Sequence, residues 1–169
     1  MSLRPVVADP QGGPITGNGG GPMSLAKPPA QWSHVTGKRH SRLLGVSCSS
    51  LHFCMAAGVE GDTSAVSGIV ERWDGRRWQL ERLGRGLHTA SLEAISCYRS
   101  RLCIAVGYLR GERGSQTLVE EWNGKAWIDR RNPVADRPQN GLLAVTCIGL
   151  TWCIASGGAE DRALLILRR

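Results

Sequence analysis

Leu44-Gly45-Val46-Ser47-Cys48, followed after five residues by Cys54-Met55-Ala56-Ala57-Gly58, decides the fold, because both stretches return twice in related form. The cysteines fall as Cys48/Cys54, Cys97/Cys103 and Cys147/Cys153, and the pairs recur after 49 and then 50 residues. Leu43, Leu92 and Leu142 stand five before the first cysteine of each pair, and Val46, Ile95 and Val145 stand two before it. Ser47, Ser96 and Thr146 directly precede it; Ala56, Ala105 and Ala155, then Gly58, Gly107 and Gly157, follow the second cysteine. Between pairs, Trp73-Asp74-Gly75-Arg76-Arg77-Trp78 returns as Trp122-Asn123-Gly124-Lys125-Ala126-Trp127. A period of this size is the signature of a propeller or another repeat array.

Each repeat reads as four strands. In the first segment Leu44, Val46 and Cys48 share one side while Gly45 and Ser47 take the other. The second, Cys54 to Gly58, is small and apolar on both sides, as a strand covered on both faces should be. The third, Val66 to Trp73, runs into Asp74-Gly75, a dipeptide suited to a type I′ hairpin turn with two residues at positive φ. Arg76 to Leu83 supplies the fourth strand. Four short antiparallel strands in about 40–50 residues make one blade of a β-propeller. No apolar stripe of helical period persists through the repeat, which argues against an α-solenoid.

The cysteine spacing suits the first hairpin of each blade. Opposed residues at a non-hydrogen-bonded antiparallel pair lie ~4.5 Å apart at Cα, at the short end of what a disulfide spans. Disulfides Cys48–Cys54, Cys97–Cys103 and Cys147–Cys153 are therefore expected, each closing a small loop and stabilising its hairpin by ~2–2.5 kcal/mol. Buried reduced thiols are the alternative. Zinc fits poorly, because structural zinc sites space their ligands two to four residues apart and recruit histidines.

The combination of Ser/Thr-Cys, five residues, Cys-x-Ala-x-Gly and then Glu-x-Trp-Asx-Gly-x-x-Trp resembles repeats of actinobacterial proteins that are often exported and read as propeller-like. The resemblance covers Trp32 to Arg169. The third repeat departs from it at Ser156 and Gly158, and no Trp-Asx-Gly follows Cys153. The resemblance carries no catalytic residues. The Trp-Asp-Gly-x-x-Trp hairpin is also similar to that of small six-bladed fucose-binding lectins, which lack the paired cysteines; this likeness implies sugar recognition at the turns.

Counting strands gives twelve, or three blades' worth. Trp32 stands 16 residues before Cys48, close to the 19 and 20 residues separating Trp78 and Trp127 from the cysteines after them. Residues 31–36 thus read as the last strand of a split blade, 43–83 and 92–132 as whole blades, and 142–169 as the other three strands of the split blade. Three blades fall short of the usual four to eight. Two arrangements answer this: a homodimer completing a six-bladed ring, or an open piece of a longer array. Residues 1–30, with six glycines and six prolines, read as a disordered tail outside the 31–169 repeat domain.

The 169 residues suit one domain, and 41% apolar against 21% charged residues excludes wholesale disorder. The longest apolar stretch near the end, Ala163 to Leu167, is far too short to span a membrane. No apolar region follows Arg4 in the manner of a secretory signal, whereas paired cysteines point to an extracellular or cell-surface location. A cytoplasmic protein with reduced thiols is the competing reading.

The net charge of +7 comes almost wholly from eighteen arginines, scattered in doublets such as Arg76-Arg77 and Arg130-Arg131. Nucleic acid is not an expected partner, since no recognised binding motif accompanies them. His34, His40, His52 and His88 occupy different repeat positions, so they form neither a metal set nor a repeated acid–base pair. No catalytic residue, metal or cofactor is assigned. Candidate ligand-binding residues are Trp73, Arg76, Trp78, Trp122, Lys125 and Trp127, with indoles as platforms for sugar rings and cations as donors. The competing role for these indoles is packing between blades, with each N–H finding a carbonyl. Glu71 and Glu120 are expected to be solvated. The function expected is a non-enzymatic propeller module that binds protein or carbohydrate. A carbohydrate-binding lectin is the first alternative, and an enzyme with an unrepeated channel site the second.

Overall fold

The alternating and small-residue stretches all become strands. In the computed structural model β1 (Ser41–Ser50), β2 (Phe53–Asp62), β3 (Ala65–Trp73) and β4 (Trp78–Glu81) form sheet 1. Sheet 2 holds β5 (Ala90–Tyr98), β6 (Leu102–Gly111), β7 (Gly114–Trp122) and β8 (Trp127–Asp129). Sheet 3 holds β9 (Asn140–Cys147), β10 (Cys153–Ala159) and β11 (Arg162–Arg168). Each sheet is an antiparallel meander in chain order. The structure describes residues 40–62, 65–83, 88–112, 114–131, 140–159 and 162–168, all within the unit Thr36–Arg169. The chain is thus all-β with four-stranded antiparallel sheets. Among the described residues there are eleven strands rather than twelve. The strand expected at 31–36 and the tail at 1–30 lie outside the described residues.

Two local expectations change. The first strand does not alternate cleanly, because a register shift between Leu43 and Gly45 takes Leu44 out of step with Val46. Sheet 2 repeats the shift between Leu92 and Ala94. Beside these bulges sit the recurring glycines: Gly58 opposes Leu43, Gly107 opposes Leu92 and Gly157 opposes Leu142. A Cβ on any of the three would overlap a carbonyl oxygen, that of Arg42, Ser91 or Gly141 respectively. Close backbone approach at the bulge, not turn chemistry, is what these glycines serve.

The Asx-Gly hairpins also differ from a two-residue turn. Trp73 pairs with Trp78 and Trp122 with Trp127, so each loop holds four residues. Gly75 and Gly124 both adopt φ +94°, while Asp74 and Asn123 stay out of the positive-φ region. Their side chains turn inward instead. Asp74 Oδ1 accepts the N–H groups of Arg76 and Arg77 at 2.8 and 2.9 Å, and Asn123 Oδ1 those of Lys125 and Ala126 at 2.9 and 3.0 Å. An Asx side chain that satisfies two loop amides makes the four-residue form the better-bonded one.

The three expected disulfides are present, with Cα atoms 4.0, 4.0 and 4.1 Å apart across β1–β2, β5–β6 and β9–β10. This is somewhat closer than the ~4.5 Å of an unbridged non-hydrogen-bonded pair.

The sheets stack face to face in sequence. One apolar cluster joins Met55, Ala57 and Val70 of sheet 1 to Leu92, Ile95, Cys103, Ala105, Leu118, Trp122 and Trp127 of sheet 2. A second joins Leu102, Ile104 and Val106 of sheet 2 to Leu142, Cys153 and Ala155 of sheet 3. Sheet 2 therefore lies between the other two, which explains the apolar character of both faces of β6. The first strands of the sheets run side by side, β1 against β5 and β5 against β9. Ser47 Oγ accepts the Cys97 N–H at 2.9 Å, and Ser96 Oγ accepts the Cys147 N–H at 3.0 Å. The residue before each first cysteine is thus the link to the next sheet.

A cross-strand ion pair also repeats, with its charges exchanged. Arg72 meets Glu81 in sheet 1, whereas Glu121 meets Arg130 at 3.2 Å in sheet 2. Because both members swapped sign, the attraction across the last hairpin of each sheet is preserved.

Candidate functional site

The repeat motif singles out the two tryptophan hairpins. Within each hairpin the two indoles meet at a tilt, with centroids 5.8 Å apart for Trp73/Trp78 and 5.9 Å for Trp122/Trp127. The first indole of each pair donates its N–H at 3.1 Å to the loop carrying the disulfide: Trp73 to the Leu51 carbonyl, Trp122 to the Ser100 carbonyl. The first and last hairpins of each of these two sheets are thereby tied together. Trp122 and Trp127 are buried in the cluster between sheets 1 and 2, and Trp127 Nε1 has no hydrogen-bond partner there. Trp73 and Trp78, on the corresponding face of sheet 1, are half-buried. Arg76 and Lys125 are exposed at their turns. The motif thus brings together one accessible pair of indoles and one pair enclosed by packing.

Two carboxylates expected in solvent are inside. Glu71 opposes Ala56 and Glu120 opposes Ala105, and both glutamates are buried. Ala105 leaves room on the face of sheet 2 turned toward sheet 1, where the Glu120 stem lies, whereas Ala56 and Glu71 share the face of sheet 1 turned away from sheet 2.

Asp74 has a carboxyl held below its ordinary value of 3.8 by the N–H groups of Arg77 and Arg76, helped by the Gln79 amide at 2.6 Å and the Arg77 charge. Burial opposes the shift without reversing it. The group is a turn-former held in its charged state.

A second site was not singled out by the repeat motif. A groove of about 380 Å³ opens between sheets 1 and 2, lined by Arg42, Leu44, Val59 and Val66 on one side and Ser91, Glu93, Tyr108 and Arg110 on the other. It adjoins a more open depression that shares Arg42, Val59 and Val66 and adds His40 and Asp62. Ser91 donates its hydroxyl hydrogen to Glu93, fixing the carboxylate. The Arg110 guanidinium lies 5.8 Å from the centre of the Tyr108 ring. Both arginines are exposed, while Tyr108 and Glu93 are partly covered. Two cationic forks, a carboxylate and an aromatic body line one opening. Such a set can pair with carboxylates or hydroxyls while an apolar face rests on the ring.

The local backbone explains how this wall is held. Thr89 has φ +66°, an uncommon conformation for a β-branched residue. Three hydrogen bonds hold it there: its N–H to the Val66 carbonyl at 2.7 Å, its hydroxyl to the Arg110 carbonyl at 2.7 Å, and its carbonyl to the Arg110 N–H at 2.9 Å. His40, eight residues before Cys48 as Thr89 is before Cys97, has φ +57° and accepts the Gly61 N–H at 2.9 Å. The device belongs to the repeat, but the side chains mounted on it do not. Where the second repeat carries Ser91, Glu93, Tyr108 and Arg110, the first carries Arg42, Leu44, Val59 and Gly61. Departures from the repeat at strand ends were the available signal for this groove.

Among the described residues no group of His, Cys, Asp and Glu is arranged to hold a metal ion, and no helix is long and apolar enough to cross a membrane. Compared with known proteins, the chain matches no family model and shows no significant match to a curated protein.

Proposed function

We propose that the chain is a non-enzymatic binding module of β-propeller type, and that the groove between sheets 1 and 2 is its recognition surface. The propeller reading is supported by the stacking of consecutive four-stranded meanders with their first strands side by side and joined by the same serine link. One observation carries the groove. The residues that recur from repeat to repeat are those that make cores, bulges and disulfides, whereas Arg42, Glu93, Tyr108 and Arg110 break the repeat and meet at one opening. A scaffold that needs only packing has no use for that set.

A carbohydrate ligand is the second reading, favoured by the Tyr108 ring beside two guanidinium forks and a carboxylate fixed by Ser91. The three disulfides fit work outside the reducing cytoplasm, at the cell surface or beyond.

The test is a titration with neutral and acidic oligosaccharides and with acidic peptides, followed by amide chemical shifts. Shifts clustered at Ser91, Tyr108 and Arg110, lost in Arg42→Ala/Arg110→Ala, are expected for the ligand class that binds. A ligand that binds with unchanged affinity to the double variant overturns the groove assignment.

A further inference from the structure

The two ends of the sheet stack carry residues that are buried wherever the same repeat position lies inside it. Val46 is 64% exposed on β1, yet its counterpart Ile95 is 6% exposed and packs on sheet 1. Leu43 is 41% exposed, while Leu92 and Leu142 at the same position are fully buried. At the other end Ile154 of sheet 3 is 41% exposed, against 0% and 3% for its counterparts Met55 and Ile104. On sheet 1 the exposure is confined to the inner strand, because Ala56 and Ile69 further out on that face are buried.

The polar link is also left open at both ends. Ser47 and Ser96 each accept the N–H of the next sheet's first cysteine. Thr146 stands at their position on β9, with its side chain exposed. Cys48 stands where Cys97 and Cys147 donate, on the strand at the edge of sheet 1. Sheets 1 and 3 of one chain pack on opposite faces of sheet 2, so neither serves the other as its next neighbour.

We infer that the partner of this surface is a second copy of the chain. Strands β9 and β10 of each copy pack on β1 of the other, as β1 and β2 pack on β5 within the chain. Ile154 of one copy then meets Leu43 and Val46 of the second, and Thr146 Oγ1 accepts the N–H of the second copy's Cys48. Two such contacts related by a twofold axis close six sheets. A second copy is favoured over an unrelated protein because the exposed ends are the two halves of an interface this chain already builds twice. The inference rests on the propeller reading above, and it names the partner.

The experiment is light scattering and sedimentation on the full oxidised chain and on Val46→Arg and Ile154→Arg. The expected mass for the unaltered chain is twice 18.2 kDa, independent of concentration. Each arginine variant is expected at 18.2 kDa, with strand content and three disulfides retained, since both sites are exposed in the single chain. Thr146→Val tests the polar link and is expected to weaken pairing about thirtyfold, because the dimer loses one hydrogen bond at each of its two contacts. A monomeric unaltered chain, a ladder of masses rising with concentration, or a dimer indifferent to both arginines overturns the proposal. A monomer that still binds ligand through Arg42 and Arg110 removes the pairing and leaves the groove standing. A dimer sensitive to both arginines, whose ligand binding ignores Arg42 and Arg110, supports the pairing and removes the groove.

Discussion

The hydroxyl of Ser47 and the backbone N–H of Cys97, fifty residues apart in the chain, meet at 2.9 Å and join sheet 1 to sheet 2 along their first strands. Ser96 and Cys147 repeat the bond at 3.0 Å between sheets 2 and 3. A cysteine N–H at this place points away from its own hairpin, and without the serine it would lose its acceptor. Ser47→Ala and Ser96→Ala are each expected to cost about 0.5–1.5 kcal/mol, the net worth of a hydrogen bond, since both bonds are only partly buried. Urea unfolding midpoints under oxidising conditions check this, and equal losses in the two variants would show that the bonds are equivalent.

Gly107 faces the bulge in β5, where a Cβ would overlap the Ser91 carbonyl oxygen. Backbone, not a flexible side chain, would have to move. Gly107→Ala is therefore expected to destabilise by about 2–3 kcal/mol, at the upper end of overpacking costs. Gly149→Ala, where an added Cβ meets only ordinary contacts, should change the midpoint little.

Trp122 is enclosed between two sheets, whereas Trp73 holds the same repeat position and is half-buried. Trp122→Ala is expected to cost about 3–5 kcal/mol as a large-to-small core change. Trp73→Ala should cost clearly less. Acrylamide quenching of single-tryptophan variants provides an independent check: an indole at position 73 should quench faster than one at 122.

Asp74 accepts two loop amides as a carboxylate, and its folded-state pKa is depressed mainly by those from Arg77 and Arg76. A group with a depressed folded pKa contributes stability that is present above its unfolded value and lost as pH falls through the folded one. The contribution from this turn should hold at neutral pH and disappear on acidification below 3.8, the ordinary value. Asp74→Asn keeps the acceptor, as Asn123 does at the same turn of sheet 2. The variant should match the parent in thermal unfolding at pH 7 and fall less steeply with acid. Identical pH slopes in the two proteins would contradict the assignment.

Much of the architecture is readable from local chemistry. The five-residue spacing of the cysteines placed them opposite one another on adjacent strands, and Cys48, Cys97 and Cys147 bond to Cys54, Cys103 and Cys153. The apolar stretch from Cys54 to Gly58 anticipated a strand covered on both faces, and all five of its residues are buried. The bulge at Leu43 was not readable, because the glycine it demands lies on the neighbouring strand, where a glycine would equally suit a strand end or a turn. The Asx turns went astray for a related reason: Asp-Gly suits a two-residue turn, but the side chain's two amide bonds favour four.

The sequence by itself determined the repeat, the strands, their meander order and the pairing of the cysteines, because alternation, turn residues and short loops act within a few residues. Only the tertiary structure decided which faces meet. Trp73-Asp74-Gly75 and Trp122-Asn123-Gly124 have nearly the same sequence, yet one hairpin keeps its indoles half-exposed and the other encloses them. Stacking likewise buried Glu120, assembled Arg42 with Glu93 and Arg110 at one groove, and left Val46 and Ile154 exposed at opposite ends. Burial is a property of what packs against a residue, and that neighbour lies a whole repeat away in the chain.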